Sequence, residues 1–542
     1  MSSQAPTPSP ARRAIVLGAS VSGLLAARVL HDCFDEICLL ERDTLAAEAS
    51  GRKGTPQALH AHGLLARGRE VLEELFPGFT EALVGQGAMV GDLLANAPFV
   101  AAGRRFARAP CGRVGIACSR PAIEAELRRR VRALPRVRLI ENVDIVQPLF
   151  EGGRVTAARV VRRADGCDET LAADFVVDCT GRGSRAPTWL AAWGFDAPQE
   201  ERVEVGIRYV TAHLRREPGH APGIAALIFA ATPDLPRPGV LLAQEPVAGG
   251  PPRWVVTLAG YAGDAIEPTI EGMRQRARTM GDRELIAIVD HAELLGLPTT
   301  FAFPRSQRRR YERLGRFPER FLVMGDALAS FNPIYGQGMT VAVCEALALR
   351  AALAKGFAGA HRRFFPAAAK VVDVPWQTAV GGDLAIAGAD LPGAVRFVNR
   401  YLARVLQAAA SDSKVALAFA KVAHLIAAPA SLFAPNIVAR VLWHSGRPPS
   451  DSRLASVHRP GGAAALRSAP PRDGVLAPIV RGPASEPSRE RPAERRDAAV
   501  AAVLGDMDHR QVAGSQQELA ALQTQFGDVL PKRQAGGRQQ AP

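Results

Sequence analysis

Unbroken apolar runs, helical periodicity and strict two-residue alternation succeed one another along this chain, and each change of period marks a new layer. Ala14-Ile15-Val16-Leu17 is a short apolar run of the kind a buried parallel strand needs. Leu24, Leu25, Ala27, Val29 and Leu30 follow with one mostly apolar helical face. Ile37–Leu40 predicts a second buried strand, and Phe175–Val177 and Phe321–Met324 repeat the pattern far downstream. Helices are expected at Gly63–Phe76, at Pro121–Leu134 and over 268–295, and Val137–Ile140 with Val155–Arg162 reads as a meander in an inserted β-layer. Val203–Val210 alternates polar and apolar residues, and Ala225–Ala231, Val240–Ala243 and Trp254–Leu258 predict companion strands. Such alternation implies an antiparallel sheet with one face packed or covering a ligand.

From 395 to 443 the chain is apolar and Ala-rich. Lys421, His424 and Pro429 interrupt any clean membrane span of about 20 residues. A helical cap over a pocket is the plain reading, and a peripheral contact with the inner membrane is the sharper one. Residues 1–11, and everything after Trp443, are rich in Pro, Gly, Ser, Arg or Gln and predict disorder. Ala498–Leu504 and Gln516–Gln525 are candidates for short helices that form on a partner.

Two turns carry the chemistry. Leu17 runs into Gly18-Ala19-Ser20-Val21-Ser22-Gly23, where Gly18 permits a tight turn and Gly23 close helix–sheet packing. The helix N-terminus behind them suits a diphosphate. Ser20 stands where the middle glycine of G-x-G-x-x-G is usual. Glu41 ends the next strand, at the offset that suits a ribose hydroxyl. The second turn is Gly325-Asp326, followed by Asn332-Pro333-Ile334-Tyr335-Gly336-Gln337-Gly338. Asp326 is placed to accept from a ribityl hydroxyl, and a helix opening at Gly338 would stabilise negative charge on a reduced flavin ring. Together the two turns point to FAD. Asp174–Asp178 and the glycine-rich Cys179-Thr180-Gly181-Arg182-Gly183 read as a strand returning to the same site.

Composition narrows the partners. Hydrophobic residues make up 47% of the 542, enough for a large buried core. The net charge of +14 comes mainly from Arg, but clusters such as Arg128–Arg130 and Arg308–Arg310 are mixed with acids and few aromatics, which argues against nucleic-acid binding. Seven scattered cysteines, without CxxC pairs, fit a reducing cytoplasm and no metal site. His60 and His62 lack further ligands at suitable spacing and are expected on a loop near flavin or substrate.

Taken together, these residues resemble the flavoprotein monooxygenases built like p-hydroxybenzoate hydroxylase and squalene epoxidase. Within them the chain is most similar to FAD-dependent oxidoreductases and epoxidases of bacterial secondary metabolism. The resemblance covers roughly 12 to 445 and includes Arg52-Lys53-Gly54-Thr55-Pro56-Gln57, the Ser119-Arg120-Pro121 helix start and Arg308–Glu312. It implies that Gly18, Ser20 and Gly23 face the FAD diphosphate, that Glu41 holds the ribose and that Arg42 lies along the adenine. It implies further that Arg120 approaches FAD, that Gly325 and Asp326 hold the ribityl chain, and that Pro333, Gly336, Gln337 and Gly338 line the isoalloxazine. Relatives usually carry Asp-Gly where this chain has Thr180-Gly181, which puts direct use of NAD(P)H in question and leaves room for a separate flavin-reducing partner. The W-x-W-x-I-P signature of flavin halogenases is absent.

The expected fold is α/β: a Rossmann-like FAD-binding domain of the glutathione reductase type, with an inserted antiparallel-sheet substrate domain and a helical C-terminal cap. The expected divisions are 12–195 and 311–365 for the FAD-binding domain, 196–310 for the substrate sheet, 366–445 for the cap and 446–542 for the tail. The implied activity is hydroxylation or epoxidation of a hydrophobic small molecule by O2 through a flavin C4a-hydroperoxide, with no catalytic side chain assigned. An FAD-dependent dehydrogenase or reductase, or a non-catalytic flavoprotein interaction module, are the rival readings.

Overall fold

The apolar runs find one another as parallel strands. In the computed structural model, which describes residues 12–445 apart from positions 47, 48, 50, 53, 248, 262 and 390, five strands form a sheet in the order Phe321–Val323, Phe175–Asp178, Arg13–Leu17, Glu36–Leu40, Val137–Ile140. Every pairing in it is parallel, and Leu17 lies beside both Leu40 and Asp178, which in turn lies beside Val323. The carboxyl ends of four strands therefore share one edge, where open α/β sheets bind ligands. The helices Val21–Leu30 and Gly338–Leu353 pack in the core beside this sheet. The expected tail helices and both termini lie outside the described residues.

Two expectations need correction. Val137–Ile140 belongs to no meander; it pairs in parallel with Glu36–Leu40 and extends the nucleotide-type sheet. Val155–Arg162 does sit in an antiparallel layer, but with Val143–Glu151 and Asp168–Ala172. A four-residue strand with no fully buried residue carries too little pattern to announce its partner. The helix expected at Gly63–Phe76 starts only at Ala66, because Gly63 and Leu64 pair with Ala117 and Ile116.

An eight-stranded, largely antiparallel sheet has Glu200–Arg215 between Thr299–Arg309 and Arg253–Gly260. It also takes in Phe99–Ala101, Arg104–Arg105 and Ala329–Ser330, from outside 196–310. Val210, Ala212 and Leu214 pack in one core with Met273, Ala277 and Leu285 of the helices Ile270–Met280 and Arg283–His291. The odd-numbered face, with Tyr209, turns toward a cavity. A 27-residue helix, Ala360–Ile386, runs unbroken past position 365. It and the helices Gly393–Ala409 and Ser413–Ala423 contribute to the far wall of that cavity. Among the described residues no helix is long and apolar enough to cross a membrane.

Candidate active site

At the shared sheet edge the two predicted turns meet. Gly18 has φ of +95°, and a Cβ there would lie 2.7 Å from the Cys179 carbonyl oxygen. A Cβ on Gly23 would lie 1.8 Å from the Gly18 carbonyl oxygen, so the helix Val21–Leu30 can approach the turn only with glycine at this position. Ser20 precedes that helix without a side-chain cap bond, which leaves the first-turn N–H groups open. Its hydroxyl instead donates to Glu124 Oε1 at 2.7 Å and accepts from Arg120 Nη2 at 3.1 Å. Arg120 also pairs with Glu124 at 3.0 Å, in the first turn of the helix Arg120–Arg132, whose N-cap Ser119 accepts from Ala122 N.

Glu41 is buried and accepts from the backbone N–H groups of Ala19 through Oε2 and of Arg42 and Asp43 through Oε1. Arg52 lies 3.3 Å from Glu41 and 3.6 Å from Glu124, which ties the second strand's end to the Ser20–Arg120 cluster. Arg52 stands out in the sequence only as part of a motif and Glu124 not at all; the i,i+4 spacing of Glu124 from Arg120 was the available signal. Arg42 is exposed and faces Asp144 at 3.3 Å.

Gly325 has φ of +71°, and Ser22 Oγ occupies the space a Cβ would need, 2.1 Å away. Its N–H donates to Glu345 Oε2 at 2.6 Å. Glu345 is fully buried with Oε1 unpartnered; burial and then the nearby Asp326 charge outweigh the Gly325 bond and raise its pKa to about 8. Asp326 itself makes no hydrogen bond or ion pair among the described residues. Deep placement raises its pKa against the pull of Arg120 and Arg182, while its open face keeps water in reach and limits the rise. Thr180 donates to Asp178 Oδ1 through N and Oγ1, and Ser184 Oγ donates to Oδ2. Thr180 is thus committed inward.

Asn332 shapes the following loop. Its Oδ1 accepts from Ile334 N at 3.1 Å and Tyr209 OH at 2.7 Å, and its Nδ2 donates to Asp383 Oδ1 at 2.9 Å. Tyr261 and Tyr335 hydroxyls donate to the same oxygen. Burial raises the Asp383 pKa to about 6 in spite of these bonds. Gly336 at φ +65° closes the loop, and Gly338 opens the helix as expected. Pro333 through Gln337 form one wall of a cavity of about 890 Å³. Its other walls are His60 and His62, the apolar face of the large sheet and the cap. His60 and His62 are pushed to about 4 and about 3, chiefly by burial, and both are neutral.

The geometry has the form of a dinucleotide turn and a second acidic turn meeting at one sheet edge, with a glycine-rich loop that leads from that edge to the cavity wall. The profile of the FAD binding domain family matches residues 12–364. The chain belongs to this FAD-binding family. It is 36% identical over 357 residues to the protein Rv3254 of Mycobacterium tuberculosis, covering 64% of this chain and 73% of that protein. A flavoprotein/dehydrogenase of Cytophaga hutchinsonii shares the fold with a TM-score of 0.55 at 16% identity, over 79% of this chain and 96% of that one. The p-nitrophenol 4-monooxygenase PnpA of Pseudomonas putida DLL-E4 does so with a TM-score of 0.53 at 16% identity, over 76% and 96%. The chain thus carries an FAD-binding domain within a mixed α/β fold.

The residues present fit the cofactor. Gly18 and Gly23 let the turn close tightly against Cys179 and the helix, the helix N-terminus behind it is uncapped by side chains, and Asp326 offers a carboxylate without a protein partner among the described residues.

Proposed function

We propose that this protein is a monooxygenase that inserts one atom of O2 into an apolar small molecule, by hydroxylation or epoxidation. The observation that carries the reading is the loop Pro333–Gln337, which ends one strand–turn–helix unit of the cofactor edge and also walls the cavity. When bound and reduced, FAD supplies the activation of O2. The chain's own residues bind and orient it. Gly18, Ser20 and Gly23 take the diphosphate at the open helix N-terminus, with Arg120 and Arg52 balancing charge beside them. Glu41 has one lone-pair site, on Oε2, left for the ribose after its three backbone N–H bonds, and Arg42 lies at the surface end, toward the adenine. Asp326, on the Gly325 turn, accepts from the ribityl chain. Pro333, Gly336, Gln337 and Gly338 seat the ring, and the N–H groups opening the helix Gly338–Leu353 stabilise negative charge there. The apolar walls exclude water.

The bond from Thr180 to Asp178 supports an electron supply other than direct NAD(P)H binding at that turn, with a separate flavin reductase as partner. Seven unpaired cysteines favour a reducing, cytoplasmic setting. The test is purification followed by reduction with NADH, with NADPH or with a flavin reductase. Expected are a yellow protein that releases FAD on acid treatment, and O2 uptake coupled to a product heavier by one oxygen. A colourless protein that takes up no added FAD refutes the cofactor site. Oxidation of substrate without incorporation of labelled oxygen refutes the monooxygenase reading in favour of a dehydrogenase.

A further inference from the structure

We infer that His60 presents an Nε2–H donor to the substrate, so that the molecule taken up is apolar but carries a hydrogen-bond-accepting oxygen, a carbonyl or phenolate. The inference rests on the cavity being the substrate site. Its basis is a closed chain of hydroxyl groups behind the imidazole. Ala61 N donates to Thr257 Oγ1 at 3.0 Å. Thr257 Oγ1 and Thr211 Oγ1 are 2.7 Å apart, and Thr211 Oγ1 and His60 Nδ1 are also 2.7 Å apart. All three side chains are buried.

Two hydroxyl hydrogens and one ring hydrogen compete to serve these two short contacts. If Thr257 donates to Thr211 and Thr211 to His60 Nδ1, every hydroxyl hydrogen has an acceptor, and the ring proton lies on Nε2. In the reverse direction His60 Nδ1–H donates to Thr211 and Thr211 to Thr257, and the buried Thr257 hydroxyl hydrogen has no protein acceptor. An unmade bond of this kind is costly in a buried site. Both His60 and Thr257 line the cavity; the first direction leaves one group without a protein partner, the Nε2–H, whereas the reverse leaves two, the Thr257 hydrogen and the Nε2 lone pair, so the balance favours the first direction and its tautomer. His60 Nε2 has no protein partner, yet it is not sealed off as both ring nitrogens of His31 are. His60 lines the same cavity as the flavin-side loop Pro333–Gln337. Burial keeps the ring neutral, so it donates as N–H rather than as a cation.

His62, two residues on, has the opposite tautomer. Its Nδ1 lies 2.8 Å from the His60 carbonyl oxygen, which can only accept, so Nδ1 carries the proton. The protein thus contains an internal reference for a spectroscopic test.

The experiment has two arms on the FAD-loaded full chain. In the first, histidine ¹⁵N shifts are assigned with the His60→Gln and His62→Gln variants. Expected are a protonated Nε2 on His60 and a protonated Nδ1 on His62; a protonated Nδ1 on His60 overturns the inference whatever the reaction proves to be. In the second, binding of 9-fluorenone is compared with fluorene, which has CH2 in place of the carbonyl. One neutral hydrogen bond predicts about threefold to tenfold tighter binding of the ketone. His60→Phe should abolish that preference, and His60→Gln, whose amide nitrogen reaches a similar position, should restore it. Equal affinities in the unaltered protein, or a preference that survives His60→Phe, overturn the inference and leave the monooxygenase reading standing. If neither compound binds, the cavity is not an apolar substrate site, and both readings fall.

Discussion

Replacing Glu345 by Gln should change how stability depends on pH, by an amount the site itself sets. The folded chain raises this carboxyl from 4.5 to about 8. A raised pKa means that the folded state holds a proton the unfolded chain has released. Stability from this group is therefore fully present below about pH 4.5, falls as pH rises, and is lost above about 8. One pH unit inside that window is worth about 1.4 kcal/mol, so the full span is on the order of 5 kcal/mol. Gln has the shape of the neutral acid and still accepts from Gly325 N, but it does not titrate. Its NH2 group would replace Oε1, which has no partner, at a pH-independent cost of about 1–3 kcal/mol.

That constant cost drops out when the difference between the two proteins is followed against pH. Between pH 5 and pH 8 the stability of the variant should gain about 3–4 kcal/mol on the unaltered protein. Urea titrations of the FAD-loaded proteins at pH 5, 6, 7 and 8, read by tryptophan fluorescence, measure it. Adding Asp326→Asn should narrow the window, because the Asp326 charge is one of the causes of the shift. Parallel stability profiles for the unaltered protein and the Glu345→Gln variant would refute the reasoning. Glu345 would then be ionised in the fold, its burial relieved by something other than a proton.

The remaining expectations concern cofactor and cavity. Asp326→Ala should weaken FAD binding about tenfold to a hundredfold by fluorescence titration, the worth of a charge-assisted hydrogen bond. Asp174→Ala should not, since Asp174 holds Arg13 N and Arg320 at the opposite end of its strand. Gly23→Ala should yield insoluble or flavin-free protein on expression, because its Cβ would overlap a backbone oxygen at 1.8 Å. Gly382→Ala should fold but shift the bound-flavin absorption spectrum, because its Cβ would fall 2.2 Å from Tyr335 OH and displace the neighbouring ring loop.

The parts of the site that could be read from the sequence are those whose constraint is local. Gly18, Gly23 and Gly325 must be glycine because of φ or a clash with a residue a few positions away or across one strand, and such turns follow apolar strands in a recognisable order. The parallel sheet was legible for the same reason, except at its edge, where the four residues Val137–Ile140 do not announce which neighbour they join. Glu345 left a faint trace, a single acid inside the apolar run Val341–Leu349, and its meaning depends on a turn 20 positions earlier. The hydroxyl chain behind His60 left none. Thr211 and Thr257 read as ordinary strand residues, and only the pairing of Thr211 with Thr257 in adjacent strands puts their hydroxyls in register.

Asn332 shows why the rest was hidden. One side chain joins Tyr209 of the large sheet, Asp383 of the helix Ala360–Ile386 and the backbone of the ring loop at Ile334. Sequence separations of 123 and 51 residues leave no periodicity that could reveal such a junction. The junction is buried, and its acceptor Asp383 Oδ1 takes three donors while Oδ2 takes none. A network so unevenly satisfied is sensitive to the loss of any member. The loop Pro333–Gln337 is thus held by the large sheet and by the helix Ala360–Ile386 together, so a change in either wall of the cavity reaches this loop. On the proposed assignment of that loop to the flavin ring, substitutions at Tyr209 or Asp383 should disturb cofactor binding as Asp326→Ala does.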